Sequence, residues 1–494
     1  MLKPSDASTK IAVVVTMLAM MAGCKPVGPN YQRPSYTPTP LYKETGAATV
    51  IMPPPAPQGG GWKPASPSDG MLRGKWWEVF GDPQLNRLEE RIATNNMAVR
   101  QALDIYMAAR EQVRVAQSAF SPTVSAGPSF THNQLSLHRP FFNGAGGSSS
   151  FNDLQLVGQA SWVPDFWGQI RRSVEAARAQ AQATAAEKAN IELSLEAQMA
   201  SSYLEMRGLD MEQQLLQSDV DELDAQLKLT QQLLEKGVDT EADVALAQTQ
   251  LESTRAQLID LGVVRAQLEH IVGTIAYYKI PNFSLAPEPL DLKLPQIPLG
   301  VPSQLLERRP DIAIAEREAA AANAQIGIAI SAFYPSITLG GMGGFESTHG
   351  GTWIQGPSSL WTLGASAAEL LVDGGLRHAY TKQARDNFEA AANNYKEVVF
   401  LAFNEVEDDL SNLRILEQED VAQRAAVASA ETALRITQQE YNGGVVSELQ
   451  VLIAENALIQ NQRALATLET AEFTDSVQLI AALGGGWDTT QLPH

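Results

Sequence analysis

The chain has 494 residues, with 36 Lys and Arg against 56 Asp and Glu, a formal net charge of −20, six His and a single Cys. Such an acidic balance excludes a nucleic-acid binder, which needs a basic face, and it suits surfaces or passages that tolerate cations better than anions. One cysteine excludes an internal disulfide and a cysteine-built zinc centre.

Residues 1–23 have the layout of an export signal. Lys3 and Lys10 precede a short apolar run over 11–21, which is followed by Ala22-Gly23-Cys24. The run is well below the ~20 residues of a membrane helix, so a cleaved signal is expected. Small residues before a cysteine resemble the bacterial lipoprotein box, with Met21 where Leu is more usual. The resemblance implies that Cys24 is acylated and becomes the mature N-terminus. Each buried methylene adds roughly 0.8 kcal/mol of membrane affinity, so several acyl chains on one residue hold a protein firmly. Lys25 follows, where an Asp in similar lipoproteins favours inner-membrane retention; the expected address is the outer membrane. Loss of residues 1–23, with Lys3, Lys10 and Asp6, leaves a net charge of −21. No later apolar run approaches membrane-helix length, so a mature chain that crosses a membrane does so with β-strands.

Residues 24–75, rich in Pro, Gly, Ser and Thr, read as an extended arm. Folded sequence is expected from Trp76-Trp77, and from there the chain reads twice. Ser118-Ala119-Phe120-Ser121-Pro122-Thr123 returns as Ser331-Ala332-Phe333-Tyr334-Pro335-Ser336, an offset of 213. Lys236-Gly237-Val238-Asp239-Thr240-Glu241 returns as Gly443-Gly444-Val445-Val446-Ser447-Glu448, an offset of 207 shared by Arg207 and Arg414. The first repeat is assigned to 76–280 and the second to 303–487, with a Pro-rich linker over 281–302 and a tail over 488–494.

Each repeat is expected to run helix, two strands, two very long helices. Residues 376–442 contain no Gly or Pro over 67 residues, and 169–236 are interrupted only by Gly208. A helix of that length is about 100 Å long at 1.5 Å per residue, and it needs helix neighbours throughout. The stretch 176–205 is rich in Ala, Gln and Glu, which predicts close packing around a thin or hollow core.

Between the helices, Val124, Ala126, Pro128 and Phe130 alternate with Ser125, Gly127 and Ser129, and Leu154, Leu156, Ala160 and Trp162 alternate with Gln155, Gln159 and Ser161. In the second repeat Ile337, Leu339 and Phe345 share a face, as do Trp361, Leu363, Ala365 and Ala367. The hairpins, at about 123–162 and 336–370, have the length and two-faced pattern of membrane β-strands, although Pro128 lacks a ladder donor. Four strands cannot close a barrel, since the smallest have about 8, so the pattern demands an oligomer. His132, His138 and His349 read as exposed loop residues rather than a metal site, and no cofactor is expected.

These features resemble the TolC-type outer-membrane efflux proteins, and among them the NodT-like lipoprotein branch that serves resistance-nodulation-division pumps. The resemblance rests on Cys24-Lys25-Pro26-Val27-Gly28-Pro29-Asn30-Tyr31, Trp76-Trp77-Glu78-Val79-Phe80-Gly81-Asp82-Pro83, Asp165-Phe166-Trp167-Gly168, the run from Val301 to Ile312, Ala332-Phe333-Tyr334-Pro335-Ser336 and Ala482-Leu483-Gly484-Gly485-Gly486-Trp487. It implies a mainly α fold with a membrane β-barrel: a homotrimer whose twelve strands, four per chain, form the barrel, with a long periplasmic α-helical barrel below. It further implies a passive conduit joined by a periplasmic adaptor protein to an inner-membrane pump.

On that resemblance the adaptor-contacting tips fall at Gly237, Val238 and Thr240 and at Gly444, Val445 and Ser447. Each Gly suits a left-handed turn, and each Thr or Ser can cap the next helix. The aperture falls at Glu241 and Asp243 in the first repeat and at Gln450 and Ile453 in the second, where relatives often carry Asp. A type I secretion channel and a periplasmic helical adaptor or scaffold are the competing readings. An enzyme is disfavoured: Gly340-Gly341-Met342-Gly343-Gly344 lies in an alternating strand rather than before a helix, and no nucleophile arrangement is apparent.

Overall fold

The computed structural model describes residues 25–36, 42–44, 74–136, 150–297 and 305–493. The signal segment, Cys24, His138 and most of the arm lie outside the described residues. The helices are α1 (Pro83–Asn95), α2 (Met97–Ser118), α3 (Gln169–Glu235), α4 (Glu241–Ile275), α5 (Pro310–Ser331), α6 (Leu376–Asn442) and α7 (Glu448–Ala482). The strands are β1 (Thr123–Gln134), β2 (Ser150–Trp162), β3 (Ser336–Ser347) and β4 (Ser359–Ala368). Among the described residues no helix is long and apolar enough to cross a membrane.

The chain forms two compact units, one of residues 1–34, 107–183 and 315–394, the other of 35–106, 184–314 and 395–494. Neither follows a repeat. In the first unit β2 of one repeat pairs with β3 of the other; in the second, α4 packs against α7.

The first unit holds an antiparallel sheet in the order β1-β2-β3-β4. Its register decides the faces, because directly opposed residues point the same way. Val124 faces Ala160, Phe130 faces Leu154 and Pro128 faces Leu156; Leu156 faces Phe345 and Trp162 faces Leu339; Leu339 faces Ala365 and Ile337 faces Ala367. The four apolar rows therefore share one side of the sheet, with Phe130, Trp361 and Leu363 exposed there at 65%, 76% and 77%. Pro128 does not break β1, which is an edge strand among the described residues and so tolerates a missing donor. The glycines of β3 admit their neighbours: a Cβ at Gly344 would meet Leu156 O at 2.0 Å, and one at Gly341 would meet Leu363 Cδ2 at 2.8 Å.

The second unit has a core built on Trp76, Phe80, Leu85, Ile92, Met199, Tyr203, Val272 and Phe473. Asp82 caps α1 by accepting from the amides of Gln84 and Leu85, and Tyr203 donates to its second oxygen at 2.6 Å. The Pro-rich segment read as a linker is docked rather than free over its described part. Leu285, Leu290, Leu292 and Ile297 pack on this core, Arg265 donates to Leu285 O at 2.8 Å, and Arg207 to Ala286 O at 2.8 Å. The repeat-related Arg414 grips the other inter-element segment, pairing with Glu44 of the arm at 2.6 Å.

Candidate functional site

Two helical turns related by the repeat lie in the second unit. At the end of α3, Gly237 has φ of 74°, its N–H donates to Leu234 O, and the Val238 N–H donates to Leu233 O, each at 2.9 Å. At the end of α6, Gly444 has φ of 72°, with Gly444 N–H to Tyr441 O and Val445 N–H to Glu440 O again at 2.9 Å. Both are Schellman closures, and the left-handed residue is the one where a Cβ is costly. The closures leave Val238 and Val445 projecting, 68% and 75% exposed.

After the first turn Thr240 and Asp243 form a reciprocal capping box: the Asp243 N–H donates to Thr240 Oγ1 at 3.3 Å and the Thr240 N–H to Asp243 Oδ2 at 3.0 Å. The Thr240 hydroxyl and amide hold the Asp243 carboxyl below its ordinary range. Asp243 is thus tied to its own helix end. After the second turn Ser447 occupies the cap of α7 but makes no side-chain capping bond, contrary to the sequence expectation. Gln450 stands at the box position, and neither it nor Ser447 reaches back. The other aperture residues, Glu241, Gln450 and Ile453, are exposed, Ile453 at 61%.

The two turns are linked by residues the sequence reading passed over. Glu448, the repeat partner of exposed Glu241, is only 3% exposed. Its Oε1 accepts from Thr230 Oγ1 of α3 at 2.6 Å, and its Oε2 is buried without a partner. Burial pushes this carboxyl up, with Asp239 and Asp243 adding to the shift. Tyr441 of α6 donates to Asp239 Oδ2 at 3.4 Å, and burial first, then Glu448 and Asp239, push its phenol up to about 12. Farther along α7, Glu455 is pushed up to about 7 by burial and then by Glu222 and Asp219 of α3. Arg463 of α7 bridges Glu212 of α3 at 2.6 Å and Gln257 of α4 at 2.8 Å. The seam between α3 and α7 therefore sets buried acidic groups beside an apolar cluster of Val220, Leu223, Leu227 and Leu452, and Arg463 pairs there with Glu212. The sequence signal for Glu448 was its place in the repeat, which carried no information about which copy would be buried. Among the described residues no group of three or more His, Cys, Asp or Glu is placed to hold a metal.

The model of the family described as "Outer membrane efflux protein" matches residues 88–269 and 301–485. The toluene efflux pump outer membrane protein TtgC of Pseudomonas putida is 28% identical over 436 residues, covering 87% of this chain and 89% of that protein. The probable outer membrane lipoprotein SilC of Salmonella typhimurium is 26% identical over 482 residues, covering 96% and 98%. Among solved structures, the outer-membrane channel OprN superposes with a TM-score of 0.83 at 26% identity over 93% of this chain and 99% of that one. VceC of Vibrio cholerae gives 0.79 at 25% identity, covering 84% and 100%. With three-quarters of its length matched by the family model and its fold shared with outer-membrane channels, the chain belongs to the outer membrane efflux protein family and is an outer-membrane channel of a tripartite efflux system.

Proposed function

We propose that three copies of the chain close a twelve-stranded barrel, that Cys24 carries the lipid, and that the turns at 236–240 and 443–447 dock a periplasmic adaptor serving a resistance-nodulation-division pump. The observation that carries this reading is the sheet: its apolar side chains share one face, and β1 and β4 each have an edge with no strand partner among the described residues. Open edges are not tolerated in lipid, so other copies must supply the missing partners. The exposed valines of the two turns offer a paired apolar contact for the adaptor. Relatives of similar identity are named for toluene, antibiotic and pyoverdine export, which supports a passive conduit whose cargo is chosen elsewhere.

Single-channel conductance in a planar bilayer, with mass measured in detergent, tests the reading. A trimer with small cation-preferring steps is expected; a water-soluble monomer without conductance rejects it. The aperture residues give a second test. Ile453 makes the second ring apolar, so Ile453→Asp should create a block by multivalent cations that the parent channel lacks. An unchanged response removes Ile453 from the aperture.

A further inference from the structure

Glu241 and Glu448 occupy matching places after the two turns, yet only Glu448 turns inward. It is 3% exposed, whereas Glu241 faces solvent. The starts of α4 and α7 are consequently secured in different ways. Thr240 and Asp243 close a capping box on α4. Ser447 supplies no such bond to α7, and the side chain that ties its first turn is Glu448, which reaches across to α3.

The contact on α3 dictates a protonation state. Thr230, itself wholly buried, sets its Oγ1 3.1 Å from Gln226 O and 2.6 Å from Glu448 Oε1. A hydroxyl has one proton, and the Gln226 carbonyl can only accept. With Glu448 ionised, one of those two contacts would oppose two acceptors. A proton on Glu448 satisfies both: its O–H donates to Thr230 Oγ1, and Thr230 donates to Gln226 O. A further donor, the Gln226 side-chain amide, is 3.5 Å from Oε1, and Oε2 is buried without a partner. A carboxylate there would be a desolvated and poorly paired charge, which is costly.

The groups facing the carboxyl are Gln226 and Thr230 on α3, Asp239 in the first turn, Asp243 on α4, Tyr441 on α6 and Glu455 on α7. Behind Glu455 stand Glu222 and Asp219 of α3. The ionisable members of this set are all acids, so each one that ionises favours the proton on Glu448. Burial first, then Asp239 and Asp243, raise this carboxyl from its ordinary range. The neutral acid therefore persists where an exposed Glu has ionised, and it is lost as pH rises through the raised value.

We propose that Glu448, as the neutral acid, is a positioning residue of the aperture: its bond to Thr230 holds the start of α7 against α3 and so sets where Gln450 and Ile453 stand, two and five residues on. Its ionisation releases that end of α7, while the capped start of α4 stays in place. The effect on conduction rests on the reading that Gln450 and Ile453 line the aperture; the tie to α3 does not.

Amide exchange in the full-length, detergent-solubilised protein tests the tie. The first turn of α4 is the internal reference, because its cap holds Asp243 below the ordinary carboxylate range. Between about pH 5 and about pH 8, protection of the first turn of α7 relative to that of α4 should fall about fivefold or more. Glu448→Gln, whose amide can donate to Thr230 as the neutral acid does, should abolish this dependence and keep the low-pH protection. Glu455→Gln, which neutralises the next acid along the seam, should retain the dependence. No dependence in the parent, an equal one in Glu448→Gln, or its loss in Glu455→Gln overturns the proposal, whether or not the protein conducts. In planar bilayers the parent's single-channel conductance should change over the same pH range, and that of Glu448→Gln should not. An exchange effect without a conductance change overturns the link to the aperture alone.

Discussion

Glu89 of α1 shows what burial does to a single group. It is 1% exposed, neither carboxylate oxygen has a hydrogen-bond partner, and burial, reinforced by Glu196, pushes its carboxyl well up. Glu196, which accepts from Trp76 Nε1 at 3.0 Å, is pushed up to about 7, mainly by burial. Both groups hold their protons in the folded chain at pH values where the unfolded chain has lost them. Folding stability therefore falls as pH rises from the ordinary carboxylate range through the raised values. Glu89→Met should stabilise the protein by about 1–3 kcal/mol at pH 8, with a smaller gain at pH 4.5. Thermal melting of the detergent-solubilised protein at the two pH values checks this, and equal gains would contradict the buried, protonated state.

At the scale of elements, the two long hairpins differ in how they are locked. Gly208, the one break in the first long apolar-poor helix sequence, lies where α3 meets α7: a Cβ there would fall 2.1 Å from Thr470 Oγ1 and 2.6 Å from its Cγ2. Gly208→Ala should cost about 1–3 kcal/mol by overpacking, and Thr470→Ala in the same chain should recover much of it, a coupling that a double-mutant cycle in melting experiments measures. The turns differ too. Thr240→Ala removes a formed capping box and should cost about 1 kcal/mol locally, seen as faster amide exchange in the first turn of α4. Ser447→Ala removes no side-chain cap and should leave exchange at the start of α7 unchanged.

Over the whole molecule the charge is unevenly shared. The unit containing the sheet has 14 Lys and Arg against 12 Asp and Glu, whereas the other has 22 against 44. The excess negative charge therefore belongs entirely to the helical unit, which carries the candidate aperture. A passage through that unit should prefer cations. Reversal potentials in a salt gradient should show the preference at 0.1 M and lose most of it near 1 M, where the screening length shrinks from about 10 Å to about 3 Å. An anion preference at low salt would mean that these carboxylates do not face the passage.

What the sequence determined by itself is what depends on local pattern. Alternation over 123–131 and 154–162 located the hairpin, the absence of Gly and Pro over 376–442 set the extent of α6, and the repeated Gly-Val placed both turns, because each signal is written in consecutive residues. Tertiary structure decided what depends on which faces meet. It buried Glu448 while leaving its repeat partner Glu241 exposed, drew the Pro-rich segment onto Arg207 and Arg265, and closed Arg172 around the backbone of residues 27–30. Those outcomes depend on contacts between residues as far apart as 218 positions, as for Thr230 and Glu448. A repeat relates the two copies by composition but does not say which neighbour each helix meets.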